Sequence, residues 1–121
     1  MALVLVGYQM IKIEVKPLSV NKAWQGKRFK TEHYKSYEKY VLLLLPTTSI
    51  PAPPFKINLE FGFANKLSDL DNPVKPFLDI LQKKYNINDK DIYELNIKKT
   101  IVQKNKEYIK FCIFTTVGVD T

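Results

Sequence analysis

The stretch "FKINLEFGF", residues 55–63, sets Phe55, Ile57, Leu59, Phe61 and Phe63 at strict period two against Lys56, Asn58, Glu60 and Gly62. Successive side chains of a strand point to opposite faces, so this spacing predicts a strand with one face in a core. Residues 10–16, "MIKIEVK", set Met10, Ile11, Ile13 and Val15 among Lys12, Glu14 and Lys16 and predict a first strand. Residues 92–102 and 107–115 alternate similarly around "QKNK" and read as a hairpin, with Asn105 the residue suited to a left-handed turn. Two helical patterns lie between the strands. Thr31 stands where an N-cap belongs, Glu32 follows it, and Tyr34, Tyr37, Val41, Leu44 and Leu45 keep helical spacing until Pro46. "PTTSIPAPP" then forces a loop. In the second pattern Asp71 or Asn72 can cap, Pro73 fits the first helical position, and Val74, Phe77, Leu78 and Leu81 form an apolar stripe. The expected fold is α+β: a single small domain, a mixed β-sheet with two main helices, in the order β-α-β-α-β-β.

A chain of 121 residues suits one domain, and 45% hydrophobic with 26% charged residues is a globular balance. The single Cys112 excludes an intramolecular disulfide framework and a multi-cysteine zinc site, and reads as packing. His33 is also alone, which leaves little for histidine-rich metal chemistry or a Ser-His-Asp triad. "MALVLVGYQM" holds a five-residue apolar run with no basic region before it, short of the ~7–15 residues of a signal peptide core. "VLLLLP" at 41–46 is far below the ~18 residues of a membrane span and reads as the buried end of a helix. A cytoplasmic protein without a membrane partner is expected. A formal net charge of +7 points to a polyanion, nucleic acid before membrane. Lys22, Lys27, Arg28 and Lys30 lie in an aperiodic loop with Trp24, a combination suited to DNA contact and equally to a solvated loop.

Against this basic background stand Asp69, Asp71, Asp79, Asp89 and Asp91. In an extended entry to the second helix, Asp69 and Asp71 point the same way and repel each other unless a cation neutralises them. Hard divalent cations take one or two carboxylates plus water and phosphate oxygens, which suits this spacing. Lys75 in the first turn opposes the helix dipole, a cost better explained by an anion bound nearby. The bland alternative carries equal weight: ordinary N-caps, with Lys75 and Asp79 an ordinary surface pair. An EF-hand is excluded, since a loop starting at Asp69 puts Val74 where glycine is needed and Ile80 where the bidentate glutamate belongs. A phosphotransferase using D-x-D as nucleophile wants an apolar strand directly before the motif, where "NKLS" stands, and a larger domain. Tyr34, Tyr37 and Tyr40, at helical spacing, read as core rather than as stacking platforms.

"DLDNPVK" at 69–75, the helix ending in "FLDIL" and "INDKDIYELNIKK" at 87–99 resemble the RusA family of Holliday junction resolvases, as does "IKIEVKPLSVNKAW" at 11–24. The resemblance spans residues 10 to 115 and sets off residues 1–9 as an N-terminal extension of a domain at 10–121. It implies a crossover junction endodeoxyribonuclease of DNA recombination and repair, a homodimer acting on four-way branched DNA with Mg²⁺. It further implies Asp69, Asp71 and Asp89 as metal ligands, Lys75 as the catalytic lysine, and Asp91 as a further candidate beside Asp89. The family's basic residues before D-x-D are reduced here to Lys66, which shifts DNA contact toward Lys22, Lys27, Arg28 and Lys30. A non-catalytic basic DNA-binding module and a nuclease of other branched DNA are the alternatives.

Overall fold

A computed structural model describes residues 10–18, 24–25 and 29–116, at 24–25 and 29–30 for the backbone alone. The elements are β1 (Ile11–Ile13), β2 (Trp24–Gln25), β3 (Phe29–Lys30), α1 (Glu32–Leu44), β4 (Phe55–Phe63), α2 (Val74–Tyr85), a 3-10 turn at Asp89–Asp91, β5 (Ile92–Ile101) and β6 (Tyr108–Thr115). Four strands form one mixed sheet in the order β1-β6-β4-β5, with two helices, as the sequence pattern predicts. The basic loop contains one addition, an antiparallel ladder of β2 with β3.

The expected hairpin does not form. β5 pairs in parallel with β4, from Phe55 opposite Ile92 to Phe63 opposite Ile101, while β6 lies antiparallel on the other side of β4 and also pairs with β1. Asn105 does take the left-handed conformation, with φ 71°, but the turn sends the chain past β4 rather than back along β5. β4 takes the centre because its apolar residues gain most from cover: all five odd-numbered side chains are buried. A parallel neighbour requires a crossover connection, and α2 supplies it.

The odd-numbered face of β4, the inward face of β6 and both helices share one core. Phe77 is fully buried, its ring edge-on to Phe61 and Phe111 at centroid distances of 6.3 and 5.6 Å. Thr31 caps α1 as expected, its hydroxyl accepting from the Tyr34 amide at 3.1 Å. Tyr34 and Tyr37 are core residues, whereas Tyr40 is half exposed. The leucine run is only partly buried: Val41 and Leu45 face the core, while Leu43 is 77% exposed. α2 buries Pro76, Phe77, Ile80 and Leu81, so its inner face is turned from Leu78 toward Ile80. It ends at left-handed Asn86, where the Ile87 amide donates to the Gln82 carbonyl.

The opposite sheet face is polar. Glu60 accepts from the Tyr108 hydroxyl and from Thr100 Oγ1. Gly62 leaves room for the Tyr108 ring, because a Cβ there would lie 2.5 Å from Cε2. The Tyr108 hydroxyl, then the Thr100 hydroxyl and the charges of Lys110 and Lys98, outweigh desolvation and hold the Glu60 carboxyl below its ordinary value.

Replacing Phe77 with alanine removes a fully buried ring and is expected to cost about 3–5 kcal/mol in denaturant unfolding; a loss under about 1 kcal/mol contradicts this core. Glu60 has a depressed folded pKa, so its stabilisation is full above the unfolded value, about 4.3, and fades as pH falls through the folded one. Tyr108→Phe is therefore expected to cost about 1 kcal/mol at neutral pH, with the gap to wild type closing under acid. Urea melts at several pH values check this, and a pH-independent gap contradicts it.

Candidate active site

The turn between β4 and α2 is built from its own side chains. Asn65 Oδ1 accepts from the Leu67 amide at 2.8 Å, and the Ser68 amide donates to the Asn65 carbonyl at 3.1 Å. Asn72 Nδ2 donates to Asp69 Oδ2 at 3.1 Å. The Val74 amide donates to the Asp71 carbonyl at 3.2 Å. Neither Asp71 nor Asn72 caps α2 through its side chain, because Asn72 is turned to Asp69 and Asp71 contributes only its backbone. Both Asp69 and Asp71 are exposed.

A residue outside the expected set holds this turn. Lys99, on β5, donates from Nζ to the carbonyls of Lys66, at 2.7 Å, and Ser68, and sits 5.8 Å from the Phe63 ring centre. The sequence did carry a signal for it. Leu95 and Ile97 face the core at period two, and the next inward position on β5 holds a lysine. A cation there needs acceptors, and two carbonyls just ahead of Asp69 provide them.

Beside the turn lies a groove of about 610 Å³, lined among others by Lys16, His33, Phe63, Ser68, Asp69 and Asn72. It brings one carboxylate together with a lysine and a histidine that motif reading did not select. A second cleft, of about 350 Å³ between Pro46, Ile50, Tyr85 and Phe111, has Tyr85 as its one titratable side chain. Burial raises that phenol, so the cleft offers little chemistry.

The remaining candidates are dispersed. Lys75 Nζ lies 3.3 Å from Asp79 Oδ1, the ordinary i,i+4 pair, exposed on the lysine side. Asp89 and Asp91 belong to the 3-10 turn, which Asn88 caps, its Oδ1 accepting from the Lys90 amide at 3.1 Å. Asp71 precedes α2 and Asp89 follows it, so twelve helical residues, about 18 Å of helix, separate them. Among the described residues no three His, Cys, Asp or Glu side chains converge as a metal site. Asp69 and Asp71 together nonetheless match the donor chemistry of a hard divalent cation, oxygen ligands on an open turn with room for water and phosphate. Lys66 is exposed. Lys22, Lys27 and Arg28 lie outside the described residues, and of Lys30 only the backbone is described. Cys112 is buried, and burial pushes its thiol up, away from nucleophilic reactivity. No helix among the described residues is long and apolar enough to cross a membrane.

Compared with protein-family models, residues 14–111 match endodeoxyribonuclease RusA. No curated protein matches the chain. The matched span contains the acidic turn, α2, the 3-10 turn and β5, and by that match the chain belongs to the RusA endodeoxyribonuclease family, a family of DNA nucleases.

Proposed function

We propose that this nuclease resolves four-way DNA junctions by Mg²⁺-dependent phosphodiester hydrolysis, as a homodimer acting in recombination and repair. The observation that carries this reading is the acidic turn held by Lys99 beside an open groove. Asp69 and Asp71 would hold the cation, which when bound lowers the pKa of water and stabilises charge on phosphate oxygens. Lys99 fixes the backbone immediately before Asp69, so the carboxylates need not be ordered when DNA arrives. Lys75 is placed to exchange Asp79 for a phosphate oxygen, because a pair this exposed contributes only about 0.3–0.5 kcal/mol. Lys16 and His33 line the groove and are available to the DNA backbone. The basic excess supplies salt-sensitive affinity for any DNA. Paired cuts in a two-fold junction require two acidic turns, hence two chains.

The Lys75–Asp79 pair also favours a second reading, a basic DNA-binding module whose acidic residues are structural. Nicking assays on four-way junction, flap, fork and linear duplex, with Mg²⁺ or EDTA, separate the two. The expected result is preferential junction cleavage, lost in EDTA while binding persists, and reduced on the order of 100-fold or more by Asp71→Asn. Junction binding without cleavage would favour the module, and cleavage untouched by Asp71→Asn would remove the metal role from this turn. Flap or fork cleavage exceeding junction cleavage assigns a different branched substrate.

Lys99→Met is expected to weaken Mg²⁺ activation about 10–100-fold, with Lys99→Arg recovering part of it. Mg²⁺ titration of cleavage, alongside a thermal melt, distinguishes this from general destabilisation. A Lys99→Met enzyme with wild-type Mg²⁺ dependence contradicts the positioning role.

A further inference from the structure

The groove beside the acidic turn has an apolar part that phosphodiester hydrolysis does not use. Its lining comes from three places in the chain: Lys16 and Leu18 after β1, His33 in the first turn of α1, and Phe63, Leu67 and Asp69 at the end of β4 and in the turn that follows. Its volume of about 610 Å³ lies within the range of small-molecule sites, about 300–1,000 Å³. Asp69 is the one carboxylate in that lining, and Lys16 and His33 are both exposed. The groove thus combines an apolar surface with two nitrogen donors, next to a residue that would hold the cation.

A lone exposed leucine is ordinary on a protein surface. Leu67 is 81% exposed, yet the backbone around it is fixed at three points. Its amide donates to Asn65 Oδ1 at 2.8 Å, and the carbonyls before and after it, of Lys66 and Ser68, both accept from Lys99 Nζ. Leucine is one of the side chains that DNA-binding proteins insert against unstacked bases. In an open four-way junction the last base pair of each arm lacks its second stacking neighbour, so taking a base out of the stack costs least there. Charge complementarity supplies the other half of the match. The sugar-phosphate chain is anionic, and the Lys16 ammonium and a His33 ring N–H are donors for its oxygens.

We propose that this groove is a nucleotide subsite. An unstacked base of the cleaved strand lies against Leu18, Phe63 and Leu67, its phosphate is held by Lys16 and His33, and the neighbouring phosphodiester is thereby set at Asp69. Leu67 is then a specificity residue, since a linear duplex, with its bases stacked on both sides, fills the groove only by opening a step. This rests on the junction-nuclease reading above and deepens it.

The test uses four-way junctions carrying 2-aminopurine at each position around the exchange point in turn, bound in EDTA so that no cleavage competes. Fluorescence of this base rises when it unstacks. A several-fold rise is expected at one position of the bound junction, absent from the equivalent duplex and lost in Leu67→Ser. The same variant is expected to lower junction cleavage about tenfold, the scale of one base contact, with an unchanged thermal melt because the side chain is already in water. Lys16→Gln is expected to reduce the slope of log affinity against log salt by about 0.7–0.9, the share of one phosphate. No rise at any position overturns the subsite, and a lower slope without a rise leaves only a backbone contact in its place. A rise that survives Leu67→Ser overturns the role of Leu67, and an unchanged slope in Lys16→Gln overturns the phosphate end. Cleavage untouched by Asp71→Asn overturns the metal reading instead, while fluorescence read in EDTA decides the subsite either way. A wild type that binds no junction overturns both.

Discussion

The parallel pairing of β4 with β5 is the constraint on which the rest of the molecule depends. Two parallel neighbours cannot be joined by a tight turn, so the chain must cross back over the sheet, and it does so as α2. That helix brings Phe77, Ile80 and Leu81 onto β4 and β6 and completes the core. It also dictates where chemistry can sit. The acidic turn falls at the carboxyl end of the strand pair and the Asp89–Asp91 turn at the amino end, with the twelve residues of α2 between them.

Lys99 connects that framework to the site. It leaves β5 on the core side, where an uncompensated charge would be costly, and its cost is offset by two carbonyls of the turn. The strand that fixes the crossover thus also fixes the backbone ahead of Asp69. Sheet pairing and carboxylate placement are therefore coupled, and damage to one reaches the other without any direct contact with DNA.

Much of this was legible in the sequence where the signal is local. Period two in residues 55–63 identified β4, and Thr31 with its helical apolar spacing identified α1, because strand alternation and capping are short-range physics. The hairpin misreading shows the limit: β5 and β6 alternate alike and adjoin in sequence, but which edges pair is settled by how β4 is covered on both sides. Asp69, Asp71 and Lys75 were findable as a motif. Lys99 was visible only as a break in the inward apolar series, since its acceptors lie 31 and 33 residues away. The grouping of Asp89 with Asp69 and Asp71 came from the family resemblance, and the twelve residues of α2 lie between them in the fold.

The most direct test is a crystal of the protein grown with Mn²⁺ in place of Mg²⁺ and examined for anomalous scattering. The expected result is a peak at Asp69 and Asp71, on the turn that Lys99 holds. A peak elsewhere, or none at saturating Mn²⁺, would contradict it.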